Sequence, residues 1–74
     1  MTLKDLRISI GCKQYQLAKN LGVATSTVCM WENGEAYPRP DKLLKLEELF
    51  GVPAGDIIRA INEAAENRKE ERSS

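Results

Sequence analysis

Glycines at positions 11, 22, 34 and 51 cut the chain into segments, and each closes an apolar stripe. Leu3, Leu6 and Ile10 share one helical face and stop at Gly11. Leu17, Ala18 and Leu21 stop at Gly22. Val28 and Trp31, three apart, stop at Asn33-Gly34, and Leu43, Leu46 and Phe50 stop at Gly51. Steps of three and four are helical periodicity, and strand-type alternation is missing. A glycine just past the last stripe residue is a common helix stop, where the chain takes a left-handed turn. The pattern therefore predicts an all-α fold of five helices.

The starts agree with the stops. Thr2 followed by Asp5 reads as a capping box with a shortened acid, opening the first helix. The second is expected over Gln14–Leu21 and the third over Thr25–Glu32. Pro38 and Pro40 forbid regular helix in the loop that follows, and Pro40 is well placed to open the fourth helix with Asp41 in its first turn. Leu44 and Leu49 flank that helix's inner stripe. Pro53 precedes a fifth helix from about Ala54, with Ile57, Ile58 and Ile61 on its apolar side; so thin a core does not easily bury both Ile58 and Ile61. Beyond Asn62 the apolar residues thin to Ala64 and Ala65, and Glu66–Ser74 is a solvated helix or a frayed tail. We divide the chain into a domain over residues 1–61 and a charged C-terminal helix extension or tail over residues 62–74.

Composition excludes several classes of function. Seventy-four residues, 42% hydrophobic and 30% charged, suit one small globular domain. No apolar run approaches the roughly 20 residues that span a bilayer, and Met1–Asp5 carries no signal-peptide core. The expectation is a soluble, cytoplasmic protein without a membrane role. Cys12 and Cys29 match no zinc spacing, and there is no histidine to complete a site. They are expected as independent thiols, Cys12 behaving as a small buried hydrophobe. With no Cys–His pair, phosphate-cradling glycine loop or carboxylate pair at a cleft, no enzyme, cofactor or metal is called for. Net charge is zero, but unevenly placed. Residues 1–45 hold seven basic and four acidic side chains, and residues 46–74 hold four and seven. A basic front suits contact with phosphates.

The stretch Gln14-Tyr-Gln-Leu-Ala-Lys-Asn-Leu-Gly-Val-Ala-Thr-Ser-Thr-Val-Cys-Met-Trp-Glu-Asn-Gly34 resembles the phage repressor/Cro-type helix-turn-helix (XRE) family of DNA-binding transcriptional regulators. Leu43, Leu46 and Phe50-Gly51-Val52 continue the likeness, which covers roughly residues 3 to 58. Its implied geometry has physical sense: Ala18 and Gly22 let two helices cross closely, and Val23, Val28 and Trp31 anchor the recognition helix. That leaves Thr25, Ser26, Cys29 and Met30, with Thr27 beside them, to enter a major groove. The chain departs from the family at Lys13 and Ala24, where relatives carry a capping side chain. Glu47 stands where relatives have a small apolar residue, and needs a partner or solvent.

The resemblance implies further roles. Gln14 presents its amide and a helix N-terminus to a phosphate; read by itself it is only a helix's first turn. Tyr37 and Arg39 are implied phosphate or minor-groove contacts, otherwise being exposed loop, and Lys13 is read beside Gln14 and Arg39 as a further phosphate contact. Asn33 is a helix stop whose backbone touches phosphate in the family. Arg7 and Glu32 match positions that form a structural ion pair. The function implied is a DNA-binding regulator, a repressor, acting as a homodimer on double-stranded DNA with a two-fold operator. Two rivals stand beside it: an antitoxin-like DNA-binding protein that holds a partner protein through residues 62–74, and an interaction module that keeps the fold without reading DNA.

Overall fold

Thr2 opens the first helix as the sequence leads one to expect. Its hydroxyl accepts from the Asp5 N–H at 3.2 Å, and the Asp5 carboxylate accepts from the Thr2 N–H at 2.9 Å. The Thr2 N–H, then its hydroxyl, hold the Asp5 carboxyl below the usual carboxylate range. A computed structural model describes residues 1–73, with side chains through Lys69, and gives α1 (Leu3–Ser9), α2 (Gln14–Leu21), α3 (Thr25–Glu32), α4 (Pro40–Phe50) and α5 (Ala54–Ser73). The fold is all-α, with no strand among the described residues. None of these helices is long and apolar enough to cross a membrane.

One core joins all five helices. Leu3, Leu17, Leu21, Val28, Leu46, Ile57 and Ile61 are fully buried in it, with Ala18 and Trp31 nearly so. Leu6, Cys12, Val23, Leu43, Phe50 and Val52 pack on its margin. Helix α2 packs on α3, α4 on α5, and α1 against both α3 and α5. Gly22 links α2 to α3 at φ +70, and a Cβ there would meet nothing, so its requirement is purely conformational.

Ile10 departs from its expected stripe, and Leu44, Leu49 and Ile58 lie outside the core. Ile10 does not continue the face of Leu3 and Leu6. Helix α1 ends at Ser9, Ile10 falls in the cap, and its side chain is 45% exposed. Arg7, four residues after Leu3, takes the inward place instead. Leu44 and Leu49 lie outside the buried stripe of α4 and are exposed. On α5, Ile61 is buried and Ile58 exposed, while Ala60 and Ala64 fill the narrow space against the other helices.

Glu47 has found its partner. Its Oε1 accepts from the Ala54 N–H at 2.6 Å, so a carboxylate from α4 caps the first turn of α5. That supplies both an acceptor for a free amide and a negative charge at the positive end of the helix.

Candidate nucleic-acid interface

Helix α3 is built to show one face. Val28, Trp31 and Glu32 are buried, which turns Thr25, Ser26 and Met30 outward, and all three are exposed. Thr27 and Cys29 lie half-buried on the flanks of that face. Cys29 is therefore less open than the helical pattern suggests, and its sulfur accepts from Asn33 Nδ2 at 3.6 Å. Asn33 closes α3 and is itself exposed.

A polar cluster behind α3 fixes its C-terminal end. Arg7 Nε donates to Glu32 Oε2 at 2.5 Å and Arg7 Nη2 to Oε1 at 3.3 Å, with both residues 8% exposed. Arg7 Nη1 donates to the Cys12 carbonyl at 2.8 Å. Gln14 Nε2 donates to Glu32 Oε1 at 2.9 Å. One carboxylate from α3 thus gathers a guanidinium from α1 and an amide from α2. Gln14 has a second partner role here, internal to the protein, that spacing did not reveal. Its amide keeps one N–H and its carbonyl oxygen for an outside ligand.

Two helix starts near this cluster and at the head of α3 lack side-chain caps. Lys13, at the N-cap of α2, has no side-chain acceptor to offer, and only the Gln16 carboxamide reaches back, to the Lys13 N–H at 2.9 Å. Ala24 leaves α3 equally uncapped. The first-turn N–H groups of Gln14, Tyr15, Thr25 and Ser26 have no carbonyl within their own helix. Such ends suit anions.

The remaining candidates lie on the loop after α3. Tyr37 is half-exposed, and its hydroxyl donates to Asn62 Oδ1 of α5. Arg39 is exposed at the N-cap of α4, and Lys13 is exposed at that of α2. Lys13, Gln14 and Asn33 therefore cluster around the Arg7–Glu32 pair or its neighbouring helix ends, while Tyr37 and Arg39 stand on a separate segment. Sequence reasoning missed the loop's partners on α5. Their only signal was the three-residue spacing of Asn62, Ala65 and Arg68 inside a charged run.

An all-α unit in which α2 crosses α3 through Gly22, and presents the outer face of α3, defines a helix-turn-helix domain. A family model described as helix-turn-helix matches residues 3–57, and the chain belongs to that family. It is 29% identical over 56 residues to the cryptic phage CTXphi transcriptional repressor RstR of Vibrio cholerae, covering 76% of this chain and 50% of the relative. It is 30% identical over 56 residues to the HTH-type transcriptional activator BcrR of Enterococcus faecalis, covering 76% of this chain and 28% of the relative. The chain thus aligns with half or less of the length of these curated relatives. No solved structure matches.

Proposed function

We propose that this chain is a sequence-specific DNA-binding transcriptional regulator, a repressor acting as a homodimer on a two-fold operator. The observation that carries the reading is the exposed outer face of α3, with Thr25, Ser26 and Met30 held outward by buried Val28, Trp31 and Glu32. Affinity comes from phosphates met by Lys13, Gln14, Arg39 and the uncapped starts of α2 and α3. Selectivity comes from Thr25 and Ser26 hydroxyls and from Met30, whose apolar end suits thymine methyls. Tyr37 and Asn33 add contacts along the backbone. Relatives named as a repressor and as an activator both support regulation.

Dimerisation follows from reach. One recognition helix reads only a short half-site, and two helices about one DNA turn apart read a usable site. Ile58, exposed on α5, marks the face we assign to the partner copy, with Leu49 of α4 also exposed. The functional reading is tested by titrating labelled duplex DNA at low and high salt. Binding through phosphates releases counterions, so affinity falls steeply as salt rises. An affinity that does not change with salt contradicts the assignment.

A further inference from the structure

The segment between α3 and α4 is fastened to a part of α5 that lies beyond the family match, which ends at residue 57. Three contacts run in step. The Tyr37 hydroxyl donates to Asn62. Gly34, at φ +75, sits so close to α5 that a Cβ on it would fall 2.6 Å from the Ala65 N and Cβ atoms. Arg68 Nη1 pairs with the Glu35 carboxylate. Asn62, Ala65 and Arg68 are three residues apart, so they line one side of the helix. Ala64 beside them is buried. The pattern is a small residue against a glycine, flanked on either side by a polar tether.

We propose that residues 62–68 of α5 act as a positioning clamp for the loop that carries Asn33, Tyr37 and Arg39 to DNA. The inference rests on the DNA-binding reading above and adds to it the residues that hold the contact loop in place. A free loop would lose conformational freedom on binding, and a loop fastened beforehand has already lost it. None of Asn62, Ala65 or Arg68 has to touch DNA for this to work. The same arrangement makes any partner that pulls α5 away from the loop an antagonist of DNA binding.

The sign of one substitution separates the clamp from plain charge. Glu35 is acidic, so removing it from a DNA-facing loop strengthens binding if only electrostatics matters. The clamp predicts the opposite. Glu35→Ala and Arg68→Ala are each expected to weaken binding to a duplex selected by the wild-type protein by roughly two- to fivefold, the range one half-exposed pair can supply. The double variant is expected to be no weaker than either single, because both remove the same tether. In the free proteins, amide hydrogen exchange over residues 33–37 should quicken in all three variants. Stronger binding by Glu35→Ala with weaker binding by Arg68→Ala makes Arg68 a simple phosphate contact and overturns the clamp. Unchanged exchange over the loop overturns it independently of any DNA. Wild-type selection of no duplex at all defeats the DNA-binding reading instead, while the exchange result still judges the clamp.

Discussion

Glu32 is the residue on which most of the site's geometry depends. Its carboxylate is nearly buried and is shared between the Arg7 guanidinium and the Gln14 amide. Replacing it by alanine leaves Arg7 buried and unpaired, since the Cys12 carbonyl alone cannot balance its charge. Broken buried pairs cost about 3–5 kcal/mol, a large part of a small domain's stability. Glu32→Ala is therefore expected to melt far below the wild type in thermal unfolding followed by circular dichroism. A melting temperature unchanged within error contradicts this. At this scale the sequence was informative about orientation and poor on partners. The outward face of α3 followed from Val28 and Trp31 being three apart. The bond from Gln14 to Glu32 spans 18 positions, and no local pattern encodes it.

At the scale of elements, helix ends were the most legible features. Gly22 and the Asn33-Gly34 pair stop α2 and α3 where the stripes run out, and Pro40 opens α4. Stripe membership was less legible where a helix is short or amphipathic on more than one side. Ile10 drops out because α1 ends before it. Glu47 shows how an apparent misfit becomes a cap once α5 arrives from beyond Gly51. Glu47→Ala removes that acceptor and its charge, and is expected to cost about 1 kcal/mol, or roughly 4–8 °C in melting temperature for a domain of this size. Glu47→Gln, which keeps an acceptor without the charge, should fall between the two. Equal melting of all three proteins would remove Glu47 from the account of α5.

At the scale of the whole molecule, one core orders five helices so that α3 is supported from behind by α1, α2 and α5. The charged segment after Asn62 was the least legible part, because a run of Lys and Glu reads as solvated whether or not small residues within it pack. Ala64 and Ala65 do pack, against the body and against Gly34. The exposed Ile58 belongs to this scale too, since a homodimer would cover it. Sedimentation at micromolar concentration, with and without a selected duplex, is expected to show dimers. Ile58→Lys should shift that equilibrium toward monomer without unfolding the chain, because the side chain is not part of the core. A strict monomer bound one-to-one to a palindromic site would contradict the dimer.

The central claim is that α3 reads sequence while its surroundings hold phosphates, and binding to a panel of single-base changes in a selected duplex tests it most directly. Thr25→Ala and Met30→Ala are expected to lose discrimination at particular base positions, at about 1–3 kcal/mol for each good contact removed. Gln14→Ala and Arg39→Ala are expected to weaken every duplex of the panel alike, because phosphates carry no sequence. If Thr25→Ala and Met30→Ala lower affinity evenly across the panel, the outer face of α3 only positions the protein, and the account of its reading head is wrong.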